Sequence, residues 1–376
     1  MSDITKLISR DHGIRSYMVI DLQYGSTGKG LLAGYLARRL RPDTVVTAWG
    51  TNAGHTYIDP DGNKYVHRML ANGVATDSVK NVLIGPGSCI DFDILLEEIK
   101  GLPKERQAFD LVIHPQACVI LPVHLKAEKA MIKIGSTMKG NGAAMAHRIL
   151  RDPDDSCTVA TLEGEASKTI LDFREALPEN VRLFTCSTTY NHTMQKSELV
   201  QIEGAQGFSL SIYHGFYPYT TSRDVTPMQV MADCAVPLWM DPVVLGTLRT
   251  YPIRVANRFD DSGRKVGWSG PIYSDQRELD FEEIGVPVET TTVTKLPRRV
   301  FSFSYQQLEQ SLRMCTPDYL FLNFCNYLPD DKANSLIEEI EHRASIVAGE
   351  FGHAGGARVI LTGHGPADGD IKFKAQ

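Results

Sequence analysis

This chain of 376 residues is short of several things, and each shortage excludes a class of protein. No apolar run approaches the ~20 residues that a membrane-spanning helix needs. The opening residues, MSDITKLISRDHG, lack the apolar centre of a secretory signal. Cysteines number seven, an odd count with no C-x-x-C pair, so neither a disulfide frame nor a local zinc knuckle is expected. Free thiols in a reducing cytoplasm are expected instead. A net charge of −6 supplies no basic field for nucleic acid. No internal repeat, low-complexity tract or Pro/Gly-rich linker divides the chain, so one large domain is expected over residues 1–376.

What is present is organised around Tyr17 to Leu32, YMVIDLQYGSTGKGLL. An apolar, β-branched run passes into three glycines and a lysine. Leu31, Leu32, Tyr35, Leu36 and Leu40 then recur at helical spacing, giving strand, glycine-rich turn and helix opening. A helix start has unpaired amides and the positive end of the dipole, so anions collect there, and Lys29 adds a point charge. An ordinary P-loop reads G-x-x-x-x-G-K-[ST]. Here Gly25 stands too close to Gly28, and Gly30 replaces the magnesium-binding hydroxyl, so a plain P-loop is rejected.

Thr44 to Ala48 reads as a second strand, leading into Trp49-Gly50-Thr51-Asn52-Ala53-Gly54-His55-Thr56. In a parallel sheet, ligands gather at the carboxyl ends of strands, which makes His55 a better candidate than most single histidines. Further strands are predicted at Lys64–Leu70, Val79–Ile84, Phe109–His114, Glu198–Glu203, Asp318–Phe324 and Arg358–Leu361, and Val243–Val255 reads as a long strand or hairpin arm. Asp91 is placed to cap a helix from Phe92 to Lys100. A closing helix carries Leu336, Ile337, Ile340, Ile346 and Val347 as its apolar stripe. Residues 152–197 read as polar and less regular. Strands alternating with helices predict an α/β fold with a mainly parallel central sheet flanked by helices.

Four more loops carry chemistry. Lys133 to Gly142, KIGSTMKGNG, offers hydroxyls and amides, with His147, Arg148 and Arg151 on the helix that follows, a set suited to phosphate. Gly204-Ala205-Gln206-Gly207 follows the Glu198–Glu203 strand, and HGFYPYTTS follows that. The run Thr290 to Arg299, TTTVTKLPRR, suits carboxylates, although threonine is also common on a solvated β-edge. The last strand ends at Thr362-Gly363-His364-Gly365-Pro366.

QYGSTGKG, TNAGHT, KIGSTMKGNG, EGAQGFSLSIYHGFYPYTTS, TTTVTKLPRR and LTGHGP, in this order, resemble the adenylosuccinate synthetase family from about residue 18 to 366. The resemblance implies a P-loop-related fold, a homodimer, Mg2+, and a ligase that joins L-aspartate to a purine monophosphate. A nucleoside triphosphate first phosphorylates the 6-oxygen, and the aspartate amine then displaces the phosphate. Carried over, Gly25, Thr27, Gly28, Lys29, Gly30 and Thr56 fall to the donor nucleotide, with Asn323, Asn326, Gly363, Gly365 and Pro366 at its base. The Gly54 carbonyl binds magnesium, and His55 stabilises charge on the phosphoryl group and the 6-oxygen. Asn52, Ser136, Thr137, Gln206 and Thr221 hold the purine monophosphate, and Arg151 reaches the neighbouring subunit's nucleotide. Thr291, Thr292, Val293, Thr294 and Arg298 take the aspartate carboxylates. Lys29, His55, Gln206 and Ser26 form the catalytic set, and Ser26 is also placed at the purine monophosphate and at the magnesium.

Three departures from the family pattern sharpen this. Ser26 stands where an aspartate usually serves as general base and magnesium ligand; losing a positioned base costs roughly 10²–10⁴ in rate. Asp21, or Ser26 relaying through water, is the replacement to consider. Phe324 and Asn326 replace the lysine and aspartate that read guanine, and asparagine pairs with adenine instead, so the donor is expected to be ATP or dATP. Leu296 stands where an arginine near the ribose is usual. Together these resemble the phage branch, the 2-aminoadenylosuccinate synthetases, which act on dGMP. The alternatives are an ordinary member using inosine monophosphate and GTP, and an inactive nucleotide-binding homologue.

Overall fold

A computed structural model describes residues 15–374 except 132, 133, 135, 136, 153, 154, 161–164, 261, 291–295 and 354. Its centre is a ten-stranded sheet. In chain order the strands are β1 (Ser16–Asp21), β2 (Thr44–Thr47), β3 (Asn81–Ile84), β4 (Phe109–Ile113), β5 (Val181–Phe184), β6 (Val200–Glu203), β7 (Val243–Arg249), β8 (Tyr319–Asn323), β9 (Arg358–Gly363) and β10 (Ile371–Phe373). Across the sheet they stand β10-β9-β8-β7-β1-β6-β2-β3-β4-β5. Every neighbouring pair is parallel except β9 with β10.

The nearly continuous apolar runs of these strands follow from burial on both faces. In β1 every residue is buried. Tyr17 and Val19 pack with Leu32, Leu36 and Val45 on one face. Met18 and Ile20 pack with Val46, Ile202 and Leu248 on the other. The helices are α1 (Lys29–Leu40), α2 (Phe92–Gly101), α3 (Pro122–Met131), α4 (Asn141–Leu150), α5 (Glu165–Ala176), α6 (Ser187–Lys196), α7 (Pro227–Asp233), α8 (Tyr305–Cys315) and α9 (Asp330–Glu350). Asp91 caps α2 by accepting from the amides of Asp93 and Ile94, a contact worth ~1 kcal/mol.

The chain leaves β1 toward β2 on one side of the sheet and later builds β7 to β10 on the other, with β6 returning between β1 and β2. The strand order therefore switches at β1, and a crevice opens beyond the carboxyl ends of β1, β6 and β7. Asp21 and Glu203 stand at the ends of the first two.

Several expectations needed correction. Residues 152–197 contain α5, β5 and α6. The predicted strand Val243–Val255 is broken after Arg249, and Ile253–Arg254 pairs in a separate small sheet. Ile346 is exposed and does not belong to the buried stripe of α9. Among the described residues no helix is long and apolar enough to cross a membrane.

Candidate active site

The glycine loop shows why its residues must be small. Gly28 caps α1 in the left-handed region, at φ 97°. A Cβ there would meet the Asn323 amide nitrogen at 2.2 Å. A Cβ on Gly30 would lie 2.9 Å from the His55 Cβ and from the Thr56 nitrogen. Ser26 also adopts positive φ, at 57°, and stays exposed.

Asp21 holds this loop together. Its Oδ1 accepts from the amides of Gln23 (2.9 Å) and Gly25 (3.2 Å), and its Oδ2 from Thr27 Oγ1 (2.5 Å) and Lys29 Nζ (3.0 Å). Lys29 also donates to the Gln206 carbonyl at 2.8 Å. With four donors on a fully buried carboxylate, Asp21 is a fastener of the loop; it does not line the cavity and is not placed to serve as general base.

Glu203, which sequence reading missed, does the corresponding work for His55. Its Oε1 lies 2.7 Å from His55 Nδ1, and its Oε2 accepts from the Asn72 amide at 2.7 Å. Trp49 donates to the Glu203 carbonyl, and its ring centre lies 4.1 Å from that of His55. Because Nδ1 faces the carboxylate, it carries the ring proton and leaves Nε2 for the cavity. Burial pulls the His55 pKa below its ordinary value, with the Glu203 carboxylate partly offsetting the effect. No motif rule pairs two residues 148 apart; the only hint was the acidic residue opening EGAQG.

These groups converge on a cavity of about 690 Å³, within the usual size of ligand pockets. One wall is Gly25, Ser26, Gly28, Lys29 and Gly30, with Asn52, Gly54, His55 and Thr56 beside it. Thr137 and Gln206 line a second part. Gln206 Nε2 is buried without a protein partner, which points to a ligand. Asn323, Asn326, Gly365 and Pro366 form the far end, and Arg298 and Leu296 another wall.

Not every expected residue is there. The Thr27 side chain is fully buried, with its hydroxyl on Asp21 and Thr247. Gly363 lies behind Asn323, where a Cβ would meet its side-chain oxygen at 2.1 Å. Thr221 does not line the cavity, and neither does Arg151, which is exposed at the end of α4. Ser136, Thr291, Thr292, Val293 and Thr294 lie outside the described residues. Asn323 spends its amide on the Thr27 carbonyl (3.2 Å) and the Phe324 amide (2.8 Å). Asn326 is exposed at the cavity.

Arg249 is a second residue that motif reading missed. It is fully buried, donates to the Ser26 carbonyl at 3.1 Å, pairs with Glu289, and lies 3.8 Å over the Phe324 ring. It thereby joins the glycine loop, the base of the threonine run and the far end of the cavity. Glu289 is the one carboxylate among the described lining residues, and Arg249 already engages it.

Ser26 and Gly54 both line the cavity and offer neutral oxygens, the kind of ligand compatible with Mg2+ when substrate phosphates supply most of its coordination. The one His/Cys group among the described residues close enough to share an ion is His124 on α3, His147 on α4 and Cys157. Its rings already complete a hydrogen-bonded chain. Leu121 N donates to His124 Nδ1 (3.0 Å), His124 Nε2 stands 2.8 Å from His147 Nδ1, and His147 Nε2 stands 2.9 Å from the Asp155 carbonyl. With Nδ1 of His124 engaged as acceptor, Nε2 carries the proton and offers no lone pair to a metal.

A parallel sheet with its switch point at β1, a glycine loop opening α1, and a histidine backed by a carboxylate define a nucleotide-dependent phosphoryl-transfer site. The family model for adenylosuccinate synthetase matches residues 18–163 and 154–332, and the chain belongs to this family of carbon–nitrogen ligases. It is 49% identical over 349 residues to the N6-succino-2-amino-2'-deoxyadenylate synthase of Acinetobacter phage SH-Ab 15497, covering 89% of this chain and 90% of the relative. The enzyme of the same name from Salmonella phage PMBT28 is 48% identical over 332 residues, covering 88% and 90%. The structure of cyanophage S-2L succinoaminodeoxyadenylate synthetase, bound to dGMP and dATP as an energy donor, superposes with a TM-score of 0.83 at 38% identity, covering 96% of each chain.

Proposed function

We propose that this chain, acting as one α/β domain, condenses dGMP with L-aspartate at the expense of ATP or dATP. The products are N6-succino-2-amino-2'-deoxyadenylate, the nucleoside diphosphate and phosphate. The phage relatives support this reading, and one observation in the cavity carries it. Guanine offers a ring NH and an amino group, which a free carboxylate reads best. Among the described residues the only lining carboxylate is Glu289, already taken by Arg249, while Asn326 presents a neutral amide. The donor end therefore suits adenine, and an ordinary synthetase driven by GTP is disfavoured.

In this mechanism Lys29 and the amides opening α1 hold the donor phosphates. The purine 6-oxygen attacks the terminal phosphorus, and the bond to the leaving diphosphate breaks. His55, backed by Glu203, takes up the negative charge gathering on the phosphoryl group and the 6-oxygen, since incoming phosphates offset the burial that keeps the ring neutral. The aspartate amine, with its carboxylates on Arg298 and the threonine run, then attacks C6 and expels phosphate. With Asp21 saturated, the ring proton leaves through Ser26 and solvent. Ser26 and Gly54 would hold Mg2+, which when bound would supply charge neutralisation on the phosphates. Gln206, Asn52, Ser136 and Thr137 orient dGMP. Arg151 follows the exposed Ile149 and Leu150 on α4, which suits a homodimer in which it enters the partner's site.

The test is phosphate release with magnesium and aspartate, pairing dGMP or inosine monophosphate with ATP or GTP. Release confined to dGMP with ATP is expected. Release with inosine monophosphate and GTP would establish an ordinary synthetase. Silence with nucleotide still bound would establish the inactive homologue.

A further inference from the structure

Among the described residues Arg258 and Arg298 line the cavity, and Arg249 and Arg254 lie over the rings of its lining residues Phe324 and Tyr24; three of these four are engaged by the protein. Arg249 holds Glu289 and the Ser26 carbonyl. Arg254 donates to the carbonyls of Pro271 (2.8 Å) and Tyr219 (2.9 Å). Arg298 donates from Nε to the Thr290 carbonyl at 3.3 Å. The fourth, Arg258, lines the cavity half-buried and has no protein partner among the described residues. A guanidinium in a cavity wall without a counter-ion is waiting for an anion.

Its position indicates which anion. Arg258 opens a short antiparallel pair, Arg258–Phe259 with Lys265–Gly267. Its stem crosses Gly267, where a Cβ would stand 3.2 Å from the Arg258 Cβ, 3.3 Å from its Cδ, and 3.3 Å from the Ile134 carbonyl. Gly267 thus lets Arg258 lie directly beside the segment that carries Thr137 and Met138 into the same cavity. Arg298, placed for carboxylates, belongs to another segment. We propose that Arg258 binds the phosphate of the purine mononucleotide, together with Thr137. The proposal rests on the assignment of the cavity to a purine mononucleotide made above.

The test compares binding of dGMP and of deoxyguanosine to wild type, Arg258→Ala and Arg258→Lys, by calorimetry and displacement. A lost charge-assisted contact should weaken dGMP about 10- to 100-fold in Arg258→Ala and leave deoxyguanosine unchanged. Arg258→Lys should fall between, and the KM for dGMP should rise with the KM for aspartate unmoved. Equal weakening of both ligands, no weakening of either, or a rise confined to the KM for aspartate would overturn it. Arg258→Lys, with its melting temperature, keeps the test valid where Arg258→Ala fails to fold. If wild type ignores dGMP, the functional reading fails, and the phosphate contact is tested separately with inosine monophosphate against inosine.

Discussion

Lys29 and His55 face the same cavity, and each is held by a buried carboxylate at the end of a neighbouring strand, yet the two anchors differ. Asp21 spends its four contacts on residues two to eight positions ahead of it. Glu203 reaches His55 and Asn72, more than a hundred residues away in sequence. One carboxylate sets the shape of a loop, and the other joins distant segments and aims a ring. Local anchoring should therefore appear mainly in stability and long-range anchoring mainly in rate.

Asp21→Asn tests the first half. It leaves the Lys29 ammonium buried without its counter-charge, and breaking a buried pair from one side costs ~3–5 kcal/mol. Urea unfolding should register most of that loss; an unchanged midpoint would show that the pair contributes nothing.

His67 provides the contrast for the second half. It sits across the ladder from His55, buried, with Nδ1 unpartnered. Burial lowers its pKa from 6.5 to about 4. The unfolded chain therefore binds more protons over that interval, and stability falls as pH drops from 6.5 toward 4, by ~3 kcal/mol. His67→Gln should remove that part of the acid sensitivity, read as the difference between two unfolding series across this range. Parallel series would contradict the assignment.

Glu203→Gln keeps the shape of the side chain but removes the charge behind His55. We expect kcat to fall roughly 10- to 100-fold with the KM for dGMP little changed, as for a contact that strengthens in the transition state. A rise in KM with kcat preserved would make Glu203 a structural residue only. The smallest expected effect is at the far end of the cavity. Asn326→Asp should shift the ratio of kcat/KM for GTP over ATP upward about tenfold, the worth of one hydrogen-bonding reversal; an unchanged ratio would move the donor base elsewhere.

The same contrast explains what was legible in advance. β1, the glycine loop, α1 and the Asp91 cap lie within short windows, where periodicity and spacing carry the signal. α5 and α6 were missed because their apolar positions are sparse among polar residues, and β5, between them, lies at the sheet edge. Glu203 with His55, Arg249 with Glu289, and Arg258 over Gly267 join segments that only the folded sheet brings together. Asp21 was noticed as acidic and near the loop, but its saturation by four donors is a property of the turn in three dimensions.

The central claim is that phosphate leaves carrying the purine 6-oxygen. Turnover of dGMP labelled with 18O at that oxygen, with ATP and aspartate, tests it directly. Label in the released phosphate is the predicted result. Unlabelled phosphate, with 18O retained on the purine, would contradict the phosphorylated intermediate and the roles given to Lys29 and His55.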